Sequence, residues 1–102
     1  MVHVLAVIKT KLGMRAQVLE AFNENVPAVH AEDGCIEYGA VVDIEQGGPM
    51  QTKFGADTFV VVEKWASMQA LGAHAKSAHM AAYAAKVKDM LEDRTIHILE
   101  SA

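Results

Sequence analysis

The stretch that decides the fold is residues 59–65, Phe-Val-Val-Val-Glu-Lys-Trp. β-Branched and aromatic residues dominate this stretch, which predicts a β-strand. Alternate side chains of a strand point to opposite faces, with Phe59, Val61 and Trp65 on one face and Val60 and Val62 on the other. A sheet with helices on one side and water on the other alternates apolar and polar residues. This strand is apolar on both faces, so both faces of its sheet need a cover.

Three further runs of β-prone residues flank this stretch along the chain. Residues 2–9, 36–44 and 95–99 are mostly apolar and short, which predicts one strand each. Residues 45–57 are rich in glycine and have little hydrophobic pattern, which predicts a loop between the second and third strands.

Two regions between the strands predict helices. The first helix carries apolar residues at three- and four-residue spacing, namely Val18, Leu19, Phe22, Val26 and Val29. Pro27 should kink or end that helix, because proline has no amide hydrogen. Ser67 is a good N-cap for a short helix over residues 68–73, and Ser77 for a longer one. The longer helix has an apolar face made of Met80, Tyr83, Val87, Met90 and Leu91.

The order strand, helix, strand, strand, helix, strand is the ferredoxin-like arrangement of the α+β class, an antiparallel sheet with helices on one face. Two helices cover only one face of such a sheet. The second strand repeats the pattern of the third, since Tyr38 and Val41 are apolar on opposite faces. The simplest cover is a copy of the same sheet, so we predict a homodimer packed through its sheets, a dimeric α+β barrel. Cover by edge loops is the alternative.

Composition and charge exclude several classes of protein. The chain has 102 residues, and we expect one domain over residues 1–102. The formal net charge is −4 and no basic stripe exists, so no nucleic-acid partner is expected. The longest apolar run is too short to span a bilayer, and no signal peptide is evident, so we expect a cytoplasmic protein without a membrane partner. Cys35 is the only cysteine, which excludes an intrachain disulfide and a cysteine-cluster zinc site.

The histidines His74 and His79 are the first candidates for chemistry. His74 lies at the end of the short helix, where the partial negative charge of the helix favours a protonated imidazole. His79 lies in the first turn of the next helix, where partial positive charge favours the neutral imidazole. His79 therefore suits a general base and His74 a proton donor or anion partner, with Tyr83 one turn beyond His79. In the alternative reading both imidazoles only bridge backbone groups in the turn. No metal site is expected unless folding gathers these histidines around a carboxylate such as Glu63.

Glu63 is an anomaly, because it lies between Val61 and Trp65 on an otherwise apolar strand face. A buried carboxylate is costly unless it is paired or protonated. We expect either a pocket carboxylate with a raised pKa, which orients a histidine or a substrate hydroxyl, or an ion pair across the sheet. Trp65 and Tyr38 are candidates for the wall of an aromatic-ligand pocket, or are plain core residues.

At these residues the chain resembles a known family. Residues 34–38 (Gly-Cys-Ile-Glu-Tyr), residues 59–65, and the pattern Glu63-x-Trp65, Leu71-x-x-His74 and a second histidine at His79 resemble the antibiotic biosynthesis monooxygenase family, most closely its bacterial quinol monooxygenase branch. The resemblance runs from the first strand to residues 96–99. It implies dimeric α+β barrels, and enzymes that oxygenate or oxidise phenols and quinols with dioxygen as co-substrate and no flavin, haem or metal.

The resemblance also suggests roles for the candidate residues. His79 or His74 would take a phenolic proton, Glu63 would orient that imidazole, and the aromatic ring would lie between Trp65, Tyr38 and Tyr83. Haem-degrading relatives carry a tryptophan at the position of His74, which argues against haem binding here.

Two other functions stay open on the same scaffold. A non-catalytic dimeric module that sequesters a small aromatic needs the same pocket but no base. A small sugar-phosphate isomerase would need a basic phosphate clamp, for which Lys76, Lys86 and Arg94 are the candidates.

Overall fold

A computed structural model describes all 102 residues of the chain. The helices and strands, in chain order, are β1 (Val2–Thr10), α1 (Arg15–His30), β2 (Cys35–Val41), β3 (Thr58–Trp65), α2 (Met68–Ala75), α3 (Ala78–Val87) and β4 (Leu91–Leu99). The strands form one sheet in the order β2-β3-β1-β4, and every neighbouring pair is antiparallel. The predicted ferredoxin-like α+β fold is confirmed.

The helix starts agree with the sequence-based prediction. The Ser67 hydroxyl accepts a hydrogen bond from the backbone N–H of Ala70 at the start of α2. The Ser77 hydroxyl does the same for Met80 at the start of α3. Each cap satisfies an amide that would otherwise lack a partner in the first turn. Ser77 thus begins a second helix within residues 68–87. None of the helices combines the length and the apolar character that a membrane span requires.

Several helix and strand ends differ from the prediction. Strand β2 stops at Val41, three residues before the predicted end, and α1 continues past Pro27 to His30. The Pro27 carbonyl still accepts a hydrogen bond from Ala31, so the proline removes one donor without ending the helix. Met90 and Leu91 do not belong to the helix face: a 3-10 turn follows α3, and Leu91 begins β4. Pairing with β1 draws Leu91 into the sheet, opposite Thr10.

The core lies between one face of the sheet and α1. Val4, Ala6 and Ile8 of β1 are buried on this face, next to Val61 of β3. They pack with buried residues of α1, namely Val18, Ala21, Phe22 and Val29. The ring of Phe22 stacks on Tyr38 at a centroid distance of 5.2 Å and meets Phe59 and Tyr83 edge-on. This aromatic group joins α1 and α3 to the neighbouring strands β2 and β3.

The opposite face of the sheet carries apolar side chains as predicted. Strand register places Leu5, Val62 and Val60 on this face, together with Val41 and Leu99 at its edges. Leu5, Val41 and Leu99 remain 38%, 49% and 44% exposed. A second copy of the sheet as the cover for this face stays a prediction.

The aromatic group provides a test of the core. Replacing Phe22 with alanine should lower the free energy of unfolding by about 3–5 kcal/mol, because the buried ring leaves a cavity among three aromatic neighbours. Urea denaturation at fixed protein concentration measures this loss. The exposed neighbour Asn23→Ala is the control and should change stability by no more than about 0.5 kcal/mol. A loss below 1 kcal/mol for Phe22→Ala would contradict this packing.

Candidate active site

A cavity of about 420 Å³ lies between the helix-covered face of the sheet and helices α2 and α3. Seventeen residues line it, and all but Glu63, His74 and Arg94 are hydrophobic. A cavity of this size and character suits a small, mostly apolar molecule with a few polar groups. Four of the six residues that the sequence proposed for the site line this cavity, namely Tyr38, Glu63, His74 and Tyr83. His79 and Trp65 do not.

Both imidazoles contact one carboxylate that the sequence analysis did not select. Oε2 of Glu32 lies 2.8 Å from Nδ1 of His74 and 2.9 Å from Nε2 of His79. His74 is 5% exposed, and the Glu32 and His79 side chains are 14% and 30% exposed. We call these three residues the carboxylate–imidazole cluster. Glu63 makes neither contact, so the expectation that Glu63 orients an imidazole is wrong.

Glu32 reaches the histidines because the turn before β2 packs closely on α2. Gly34 has a positive φ of 81°, and a Cβ atom there would lie 2.6 Å from the Cβ atom of Ala70. The backbone N–H of Ala66 donates to the Gly34 carbonyl over 2.8 Å. Only glycine allows this conformation and this approach together. The sequence signal was the acidic turn at residues 32–34, but no local pattern relates this turn to a histidine 42 residues later.

The cluster determines which nitrogen of His74 can accept a proton. An ionised carboxylate only accepts hydrogen bonds, so His74 presents Nδ1–H and His79 presents Nε2–H to Glu32. A neutral imidazole has one ring hydrogen, which leaves Nε2 of His74 as a lone-pair acceptor. Nε2 of His74 has no hydrogen-bond partner in the protein. Every fully buried side-chain nitrogen has a partner, so this Nε2 is accessible, and His74 lines the cavity. When the ring is neutral, the arrangement therefore presents the Nε2 lone pair to a molecule in the cavity.

Trp65 lies behind this base rather than in the cavity wall. Its ring is fully buried, and its centroid is 4.6 Å from that of the His74 ring. The indole Nε1–H donates to Oε1 of Glu63 over 2.9 Å. Burial raises the pKa of Glu63, and the hydrogen bond from Trp65 and the nearby His74 partly oppose this shift. This direction agrees with the raised pKa expected for a carboxyl in the cavity.

Two tyrosine hydroxyls complete the polar part of the cavity. Tyr38 is buried, and its hydroxyl makes only a long contact of 4.0 Å with the Met80 thioether. Burial raises the pKa of Tyr38 far above its usual range, with a further contribution from Glu63, and burial raises the pKa of Tyr83 to about 12. Both phenols therefore stay protonated at neutral pH. The Tyr38 hydroxyl is free to donate a hydrogen bond to an oxygen atom of a ligand.

Comparison with known proteins agrees with this geometry. The sequence profile described as antibiotic biosynthesis monooxygenase matches residues 1–86. The chain belongs to this monooxygenase family. The chain is also 37% identical, over 102 residues, to the "probable quinol monooxygenase YgiN" of Escherichia coli K12, an alignment that covers 98% of this chain and 97% of the relative. Family membership and this relative support a monooxygenase activity.

Solved structures share the fold. A structure described as an antibiotic biosynthesis monooxygenase superposes with a TM-score of 0.80 and 24% identity, over 100% of this chain and 99% of the other. PA3566 from Pseudomonas aeruginosa superposes with a TM-score of 0.82 and 20% identity, over 99% of this chain and 93% of the other. At these identities the likeness concerns the fold alone.

The close approach at Gly34 is testable against a matched glycine. Gly34→Ala should destabilise the protein more than Gly13→Ala, because both glycines have positive φ but only Gly34 faces a side chain. The strain of positive φ costs roughly 1–2 kcal/mol at either position, and Gly34→Ala adds the contact with Ala70. Urea denaturation compares the two variants. Equal decreases in the free energy of unfolding for the two variants would show that this turn does not pack closely against α2.

The buried carboxyl of Glu63 predicts a pH-dependent effect. Its pKa is raised in the folded state, so the folded chain holds the proton to higher pH than the unfolded chain does. The free energy of unfolding therefore falls as pH rises from the unfolded pKa through the folded pKa. Glu63→Gln keeps an oxygen that accepts the Trp65 hydrogen bond but does not titrate. Its free energy of unfolding should therefore exceed that of the wild type at pH 7, and this difference should shrink toward pH 4.

Urea denaturation of both proteins at the two pH values measures this gain. Glu20→Gln, at an exposed position on α1, is the matched control. A gain for Glu63→Gln that is the same at pH 4 and pH 7 would contradict the raised pKa.

Proposed function

We propose that the protein is a cofactor-independent monooxygenase or oxidase that acts on a quinol or another small phenol, with dioxygen as co-substrate. The observation that carries this proposal is the free Nε2 of His74 at the wall of an apolar cavity, while Glu32 holds Nδ1 on the other side of the ring. The family and the name of the E. coli relative support the same reaction class.

In the proposed reaction His74 begins the chemistry as a general base. Nε2 accepts the proton of a phenolic hydroxyl, and the resulting imidazolium is stabilised by the Glu32 carboxylate at Nδ1. The apolar wall excludes water, which strengthens this ion pair. The substrate is then an electron-rich anion that can pass an electron to dioxygen without a cofactor.

The electrons balance for either outcome of the reaction. In simple oxidation, the quinol loses two electrons and two protons to dioxygen, which yields quinone and hydrogen peroxide. In monooxygenation, one oxygen atom enters the ring and the other leaves as water, so a quinol and dioxygen give a hydroxyquinone and water. Neither outcome requires a further reductant.

The remaining site residues would hold the substrate and the base. The Tyr38 hydroxyl, which lacks an oxygen or nitrogen partner, is placed to donate to the second oxygen of a quinol. Tyr83 would contact the ring, and the Glu63 carboxylate would accept a hydrogen bond from a substrate hydroxyl. Trp65 packs on the imidazole of His74, and His79 supplies the second N–H to Glu32. These two are positioning residues.

We further propose that the chain, as one domain, works as a homodimer joined through the exposed face of its sheet. The partly exposed Leu5, Val41 and Leu99 lie on that face, and the helices pack on the other. A second sheet is the cover that removes these side chains from water most fully.

Two alternatives differ in what they need from the cavity. A non-catalytic module that sequesters a small aromatic would use the same apolar walls, and saturable binding without oxygen uptake would favour it. A sugar-phosphate isomerase would need a basic clamp. Of the three candidate cations only Arg94 lines the cavity, and Lys76 and Lys86 do not, so the observations do not favour it.

Oxygen uptake by chelator-treated protein with a panel of quinols tests the proposal. Uptake should exceed the spontaneous rate, and His74→Gln should lower kcat by about 10²–10⁴-fold, the usual contribution of a general base. Glu20→Gln is the control, because Glu20 is exposed on α1 and lines neither the cavity nor the sheet face proposed for the dimer. Oxidation by His74→Gln at the wild-type rate would refute the assignment.

A further inference from the structure

The carboxylate–imidazole cluster has a second chemical property that the proposed reaction does not use. Glu32, His74 and His79 each place one donor atom so that all three atoms lie within 4.8 Å of one another. Two imidazole nitrogens and one carboxylate oxygen form the ligand set of many three-ligand zinc sites, which leave a fourth position for water. Without a metal, the hydrogens on Nδ1 of His74 and Nε2 of His79 lie between these atoms. A single divalent ion would take the place of both hydrogens.

The distances allow this exchange with small movements. In a tetrahedral site with bonds of about 2.0–2.1 Å, neighbouring ligand atoms lie roughly 3.4 Å apart. The two contacts of Glu32 Oε2 measure 2.8 and 2.9 Å. Each Glu32 contact therefore needs to lengthen by about half an ångström, and the two imidazole nitrogens, which lie within 4.8 Å of one another, take the same spacing around the ion.

The cluster is also held in place by the surrounding fold. The Ser77 hydroxyl and amide both donate to the His74 carbonyl, which shapes the turn between α2 and α3. His74 is buried and Glu32 nearly so, whereas His79 is partly exposed and gives an ion a path from solvent. A preformed ligand set lowers the entropy lost on binding an ion.

We propose that Glu32, His74 and His79 bind one divalent transition-metal ion of the zinc class. Nitrogen-rich ligand sets of this kind prefer Zn²⁺, Co²⁺ or Ni²⁺ over Mg²⁺ and Ca²⁺, which require oxygen ligands. The ion bonds to Nδ1 of His74, to Nε2 of His79 and to the Glu32 carboxylate.

A consequence for activity rests on the proposed function. A metal on Nδ1 of His74 displaces the hydrogen there, and a neutral ring then carries its hydrogen on Nε2. Nε2 faces the cavity as a donor and no longer accepts a phenolic proton. The ion is therefore an inhibitor of the reaction rather than its cofactor.

Metal binding is measured directly on the full-length protein after chelator treatment. Titration with Co²⁺ should produce the visible absorption of a tetrahedral site, and calorimetry with Zn²⁺ should give one ion per chain. Glu32→Gln and His79→Gln should each weaken Zn²⁺ binding at least tenfold, while His97→Gln should not. Circular dichroism checks that the variants fold, and His79, which is partly exposed, is the substitution the fold tolerates most easily.

The outcomes separate the metal site from the proposed reaction. Absence of the Co²⁺ band, or Zn²⁺ affinity unchanged in both cluster variants, would overturn the site. Zn²⁺ should suppress oxygen uptake by the wild type, and His79→Gln should need at least tenfold more Zn²⁺ for the same suppression. Full activity with the ion bound would refute the inhibitory role. Absence of oxygen uptake in metal-free protein would count against the proposed function alone, since the binding measurements do not depend on it.

Discussion

One oxygen atom of Glu32 joins the two imidazoles of the turn between α2 and α3, and the chemistry of the cavity depends on this contact. Because the carboxylate takes the hydrogen of Nδ1 on His74, the nitrogen that faces the cavity keeps its lone pair. The same three donor atoms also match the ligand set of a divalent metal. Whether a hydrogen or a metal ion occupies Nδ1 would decide whether His74 acts as a base.

The sheet supplies the second constraint, since its strands are apolar on both faces. On one face, α1 and the aromatic group around Phe22 fill only part of the area, and the space under α2 and α3 remains as the cavity. On the other face, Leu5, Val41 and Leu99 stay partly exposed. An apolar cavity and an apolar outer face thus arise from the same strand pattern, and the second of these motivates the proposed dimer.

Sequence reasoning found most of the cavity but not its central contact. Tyr38 and Glu63 followed from strand alternation, and His74 from its position at a helix end. The sequence points to Glu63 as the carboxylate beside the imidazoles, because that residue is conspicuous on an apolar strand face. Glu32, in an ordinary acidic turn, makes the contacts instead, because the positive φ of Gly34 allows the turn to approach α2. His79 was expected at the cavity, but the turn directs it toward the partly exposed side of Glu32.

The sequence by itself determined the elements whose signals are local. Alternation of β-prone residues produced the strands, and the hydroxyls of Ser67 and Ser77 began α2 and α3. Only the tertiary structure decided where α3 gives way to β4, because pairing with β1 draws Leu91 into the sheet. It alone decided which carboxylate meets the histidines, since 42 residues separate Glu32 from His74. Contacts over such separations depend on how whole strands and helices pack, which short-range patterns do not encode.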